Sequence, residues 1–477
     1  MHCRRYQSIP LISRRHWLLH TGLGLGGIAL ATMDRLHSGG APAGRLPHFA
    51  PKAKRVICLF MSGGVSQVDS FDHKPVLNQR RHEPLPDSIL KGRKPLGMSK
   101  LQSVFPIEGS AFSFSQHGQS GAWFSECFPR LARHADRLCF LKGMVSEAVN
   151  HDPAIIFINS GSQLPGRPSL GAWLSYGLGS ENNNLPSFIV LVTKKPVDQP
   201  LSSRLWDSGF LPTQHQAVQF RSGKEPVLYL KNPDGLPPAL HRTMLDQLGK
   251  MQQDEFMRRG HPDILARAEQ YEMAYRMQMA VPETTDLSRE PSAVLDSYGP
   301  DAKMPGSFAY NCLLARRLSE SGVRFIQLYH PGWDHHSRLN SGFKASAREV
   351  DQPVDALLSD LHERGLMKDT LVLFLTEFGR TPYSQGGLKD GSEYGREHHK
   401  EAFTCWMTGA GVKPGITHGI TDEFGFDVIE GRTTVNDLHA TVLHLLGIEH
   451  TRFTFPFQGR DFRLTDVAGE LVAPVLA

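Results

Sequence analysis

Residues 371–382 read LVLFLTEFGRTP. An unbroken apolar run stops at Thr376, and a carboxylate at Glu377 and a guanidinium at Arg380 follow at once. A strand buried on both faces of a parallel sheet reads as a continuous apolar run rather than an alternating one. The stretch is therefore expected to be a central strand of an α/β sheet. In open α/β sheets, ligands bind in the crevice beyond the carboxyl ends of the strands. Glu377 and Arg380 stand where such a site would begin.

The same rhythm extends on both sides. Helices are expected over 307–320, 350–364 and 435–446, and they alternate with strands over 323–329, 370–375 and 403–407. Earlier strands fall at 55–61 and 187–192, with a short apolar run at 138–141. Residues 122–136 carry apolar side chains at helical spacing, and 263–279 are amphipathic. A polar, proline-rich loop covers 84–117, and 196–240 read as irregular. Strands alternating with helices argue for a mostly parallel central sheet with helices on both faces. The expected organisation is one α/β domain over 51–477 with long loop insertions. No internal repeat and no transmembrane span are expected in it.

Composition narrows the function. The chain has 477 residues, 40% hydrophobic and 21% charged, with a formal charge of +4. No long Lys/Arg run follows the first few dozen residues, which argues against nucleic acid as a partner. Residues 1–50 read as a signal segment and linker. Ser13-Arg14-Arg15-His16-Trp17-Leu18-Leu19 has the twin-arginine pattern and leads into a Gly-rich apolar stretch, so the expected location is the periplasm or the cell surface. Gly22, Gly24 and Gly27 match G-x-G-x-x-G by spacing only. No strand precedes them, so they are not read as a dinucleotide site. The cysteines beyond Cys3 lack C-x-x-C spacing and are expected to be small buried apolar residues.

Polar clusters follow the expected strands. His330, Asp334, His335 and His336 come after 323–329, and Glu377 and Arg380 after 370–375. A loop before Phe403 carries Arg396, Glu397, His398 and His399. Parallel strands deliver the first two clusters to one edge of the sheet. A pooled imidazole and carboxylate set suits a divalent transition metal such as zinc, with calcium or manganese as alternatives. Asp69, in the Gly-rich turn after the first strand, and His151, in Asn150-His151-Asp152-Pro153, are further candidates. Asp152-Pro153 is explained equally well as a helix start.

The quoted stretch, LFMSGGVSQVDSFDHKP, GRPSLGAWLSYGLGS, GVRFIQLYHPGWDHH and DLHATVLHLLGIEH together resemble an uncharacterised twin-arginine-exported family of the alkaline phosphatase and sulfatase-like superfamily. The resemblance implies an alkaline-phosphatase-like fold that binds divalent metal at the carboxyl edge of its sheet. By position it implies Asp334, His336, Glu377 and His398 as metal ligands, with Asp69 as a substitute ligand from the first loop. It also implies Arg380 facing an anion, with His151 beside it as a catalytic residue. The chain departs from the superfamily at Ser62 and Phe378, where Asp and His are usual. No Ser, Thr or Cys stands near Asn150-His151 as a nucleophile. The implied function is an exported metal-dependent hydrolase of phosphate or sulfate esters, acting on an anionic ester or a sulfated or phosphorylated glycan. The alternative is a non-catalytic binding protein that keeps the fold.

Overall fold

Strand β1 (Arg55–Ser62) runs through the middle of the sheet with all eight of its residues buried. In the computed structural model, residues 46–477 are described apart from 94–96, 197–199, 222–224, 228–229, 233–234 and 388–393. The segment expected to be a twin-arginine signal, with its glycines, lies outside the described residues. The other sheet strands are β2 (Cys139–Val145), β3 (Phe188–Val192), β4 (Val218–Phe220), β5 (Phe325–Pro331) and β6 (Thr370–Leu375). A hairpin of β7 (Gly379–Ser384) and β8 (Arg396–His399) stands off the sheet, and β9 (Phe403–Gly409), β10 (Ile416–His418) and β11 (Thr433–Thr434) complete the set. The sheet order is β10-β2-β9-β6-β1-β5-β3-β4, with β11 also paired to β2. Only β9 runs antiparallel to its neighbours, β6 and β2. The expected α/β class with a mostly parallel sheet is the one observed.

Helices cover both faces because β1 and its neighbours are apolar on both. Ile57, Leu59 and Met61 belong to one core, with side chains from α5 (Phe308–Glu320) and α6 (Leu339–Glu363). Val56, Cys58 and Phe60 belong to the other, with α1 (His151–Ser160), α2 (Leu170–Leu178) and α7 (Val435–Leu445). A two-helix excursion, α3 (Pro238–Arg259) and α4 (Pro262–Thr285), packs mainly on itself. The quoted stretch is central: β6 pairs with β1, and Leu371, Val372, Leu373 and Phe374 are wholly buried. Five cysteines are free and buried, as expected. No helix among the described residues is long and apolar enough to cross a membrane.

Three expectations need correction. The helical spacing over 122–136 folds instead as a short strand, Ala122–Ser125, and a 3-10 turn, Leu131–Arg137. Gly118 and Gly121, both at positive φ, turn the chain into a hairpin, and Pro129 prevents a continuous helix. The helix expected from 350 begins at Leu339, and its early turns bury Leu339, Phe343, Ala347 and Val350 at helical spacing. The loop expected around Arg396–His399 is strand β8, paired antiparallel to β7.

One buried histidine gives the fold an acid limit. His439 on α7 is 1% exposed, and its Nε2–H donates to the Ile158 carbonyl at 2.9 Å. Burial lowers its pKa from 6.5 to about 4. A group with a depressed folded pKa supports the fold fully above its unfolded value and loses that support as pH falls toward its folded value. Thermal melts are therefore expected to drop between pH 6.5 and 4, and His439→Gln should flatten that slope. An equal slope in the variant would remove His439 as the cause.

Candidate metal centre

Three loops leave the carboxyl edge side by side: Gly63-Gly64 after β1, Gly332–His336 after β5, and Thr376-Glu377 after β6. Gly63 has φ +123°, and a β-carbon there would lie 2.6 Å from the Asp334 nitrogen. Glycine is what lets the first two loops touch. His151 is the first residue of α1, and Val149 lies just before it on the chain leaving β2. His398 lies on β8 opposite Arg380 on β7.

These elements bring four side chains to one point. Ligand atoms of His151, Asp334, His336 and His398 all lie within 4.8 Å of one another. Asp334 Oδ1 is 2.9 Å from His336 Nε2 and 3.3 Å from His398 Nε2, and Asp334 Oδ2 is 3.1 Å from His151 Nε2. Each imidazole is held from behind at Nδ1. His151 Nδ1–H donates to Glu377 Oε1 at 2.7 Å, His398 Nδ1–H to the Val149 carbonyl at 2.7 Å, and His336 Nδ1–H to Gln385 Oε1 at 2.5 Å. A neutral imidazole with its hydrogen on Nδ1 presents a lone pair at Nε2.

Three such lone pairs and a carboxylate therefore converge. His336 Nε2 and His398 Nε2 are 3.0 Å apart, too close for two acceptors without a cation or a proton between them. Three imidazoles and one carboxylate, each imidazole backed by an acceptor, are a donor set that could hold a divalent metal. Without a cation, protons must do that work. Burial opposes charge on His151, yet hydrogen bonds to Asp334 and Glu377 hold its pKa up to about 9. Burial works to raise the Asp334 pKa, but the three histidines and Arg380 hold the carboxyl well below the usual range.

The expected site residues divide in two. Asp334, His336 and His398 meet, and His151, expected as a catalytic residue, joins them inside the cluster. Glu377 lies behind His151, wholly buried, and its Oε1 also accepts from the Gly63 N–H at 2.8 Å. Its place is that of an acceptor orienting an imidazole, not a member of the converging set. Arg380 does not face an open space. Its guanidinium donates to the Gly64 carbonyl at 3.0 Å, the Arg396 carbonyl at 2.9 Å, the Gly63 carbonyl and Asp334 Oδ1. With its donors spent on loops and carboxylate, it fixes the site instead of receiving an anion.

Asp69 is also elsewhere. It pairs with Arg396 at 2.8 Å, both residues fully buried, and accepts from Ser66 Oγ at 2.5 Å. His335 packs toward Phe343 and stays outside the cluster. Phe378, which replaces the usual histidine, packs its ring on His151 and His398, with centroids 5.0 and 4.5 Å away. No sequence signal marks Gln385 or the Val149 carbonyl as part of the site. An amide beyond a strand end and a main-chain oxygen leave no mark in a sequence. Glu377→Gln is expected to weaken metal binding by ~10–100-fold, as loss of an orienting carboxylate does. Competition against a chromophoric chelator measures this, and an unchanged affinity would give Glu377 no part in the site.

Fold and site define an α/β protein with a preorganised three-histidine, one-carboxylate cluster at the carboxyl edge of its sheet. Residues 53–476 match the family described as protein of unknown function DUF1501, and the chain belongs to that family. No curated protein matches the sequence. Among solved structures, lipoteichoic acid synthase LtaP from Listeria monocytogenes is similar at 9% identity and TM-score 0.38, over 94% of this chain and 82% of that one. A magnesium-bound variant of alkaline phosphatase from the Antarctic bacterium TAB5 is similar at 13% identity and TM-score 0.32, over 83% and 98%. A protein of the alkaline phosphatase superfamily from Vibrio parahaemolyticus is similar at 9% identity and TM-score 0.36, over 85% and 68%.

Proposed function

We propose that the protein is an exported, metal-dependent hydrolase of phosphate or sulfate esters, with an anionic ester or a sulfated or phosphorylated glycan as substrate. The observation that carries this reading is the convergence of His151, His336 and His398 Nε2 with the Asp334 carboxylate at the carboxyl edge of a parallel sheet. A divalent cation bound there supplies positive charge to polarise an ester oxygen and to favour attack by water. The chain's own residues do the rest. Asp334 and the three imidazoles would hold the cation, while Glu377, Gln385 and the Val149 carbonyl keep the imidazole hydrogens on Nδ1. Arg380 ties Asp334 to both neighbouring loops, and Phe378 keeps water from the back of two rings.

A second reading has its own support. Four protein donors are the number that a structural zinc site would take, whereas a catalytic one would keep a position for water or substrate. No Ser, Thr or Cys is among the four converging residues. Both fit a cell-surface or periplasmic binding protein that keeps its metal without turnover. Metal analysis of protein purified after export, beside a panel of phosphate and sulfate esters, separates the readings. Stoichiometric metal with metal-dependent turnover supports the hydrolase, and metal without turnover supports the binding protein. Absence of metal at any stage would end both. Export itself is tested by replacing Arg14 and Arg15 with Lys, which should leave folded precursor in the cytoplasm. Undiminished export would refute the twin-arginine assignment.

A further inference from the structure

A cavity of about 670 Å³ opens on the far side of the sheet from the histidine cluster. Ser187 and Ala217, which immediately precede β3 and β4, place it at the amino edge, where α2 and α4 cover the sheet margin. Its volume lies within the ~300–1,000 Å³ typical of small-molecule sites. Met273, Met277, Val218 and Val227 supply apolar wall, and polar groups line it from two sets of elements.

The first is Arg276 on α4. Its helical neighbour Glu272 is taken by Arg242 from α3, through both guanidinium ends, one of them at 2.9 Å. Arg276 is left with no ion pair among the described residues, and its buried Nε has no hydrogen-bond partner. The second is a hydroxyl relay. Ser187 Oγ–H donates to Ser175 Oγ at 2.7 Å, and Ser175 Oγ lies 3.1 Å from His215 Nδ1. With Ser175 Oγ–H donating to Nδ1, the neutral imidazole carries its hydrogen on Nε2, and that is the tautomer in which His215 donates to an anion. Burial favours this neutral form, lowering the His215 pKa to about 4. Glu269, the one carboxylate in the lining, is exposed at the mouth.

We propose that this cavity is a second ligand site, which binds a small amphipathic monoanion: a carboxylate at Arg276 and His215 with an aliphatic tail along Met273, Met277, Val218 and Val227. A guanidinium that feels Glu272 only through space, and whose buried Nε has no hydrogen-bond partner, selects for that combination beside an apolar wall. A carboxylate answers the charge, and the tail removes apolar surface from water. The site does not depend on the metal centre, which lies at the opposite edge of the sheet.

Calorimetric titration of the full chain tests this with two probes of equal tail length, decanoate and decanol. Wild type should bind decanoate saturably at one per chain. Arg276→Gln should weaken decanoate about tenfold through loss of a charge-assisted hydrogen bond, while leaving decanol unchanged. Ala274→Trp, which fills the lining, should abolish both. Absence of saturable decanoate binding overturns the proposal. So does an Arg276→Gln protein that binds decanoate like wild type, or an Ala274→Trp protein that binds either probe undiminished.

Discussion

Asp334→Asn is expected to reduce metal content to background and to lower stability by ~3–5 kcal/mol, the cost of breaking a buried ion pair from one side. Asp334 is the only carboxylate in the converging set. It also compensates Arg380, a guanidinium that is 1% exposed and cannot turn outward to water. Neutralising Asp334 leaves that charge buried and removes the anion that draws three imidazoles together. Asp334→Glu retains the charge and should recover much of the stability while displacing the ligand oxygen. Metal analysis and urea denaturation read the two effects separately. Wild-type metal content in Asp334→Asn would exclude Asp334 as a ligand and overturn this ligand set.

The second large effect concerns Asp69. Both Asp69 and Arg396 are fully buried, and Arg396 donates further to the carbonyls of Glu108, Thr381 and Gly109. Asp69→Asn is expected to cost ~3–5 kcal/mol in denaturant unfolding, because a buried guanidinium loses its counter-charge. The protein that remains folded should keep its metal. Loss of metal without loss of stability would restore Asp69 to the ligand set and overturn the structural role given to it here.

The two predictions mark where the sequence is legible. Continuous apolar runs such as 370–375 identify buried parallel strands, because burial on both faces removes the polar alternation. The order of those strands then sends Asp334 and Glu377 to one edge. What it does not specify is depth. Asp69, Glu377 and Arg380 have the right chemistry and the right loops, yet they stand one layer behind the cluster. The difference lies in partners hundreds of positions away, as between Glu377 and Gly63 or Asp69 and Arg396. His151 shows the converse. As an isolated histidine beside a helix start it carries no pattern, and only the packing of α1 against the sheet edge brings it to Asp334. The late start expected for α6 had a plainer cause. The polar residues among Leu339, Phe343, Ala347 and Val350 mask an apolar spacing that is nevertheless present.

The central position of β1 sets the order in which the chain can be completed during synthesis. Val56 pairs with Phe325 on one side and with Leu371 on the other, 269 and 315 positions later. An eight-residue strand without an exposed side chain must therefore wait for most of the polypeptide before it has either neighbour. At ribosomal rates of ~5–20 residues per second, the interval to the second neighbour is roughly 16–60 s. Through that interval RVICLFMS is an unpaired apolar segment, and long-range parallel pairing is slow to form even once the partners exist. Nascent chains that end before residue 325 should consequently engage holdase chaperones through β1, and release should coincide with emergence of β5 and β6.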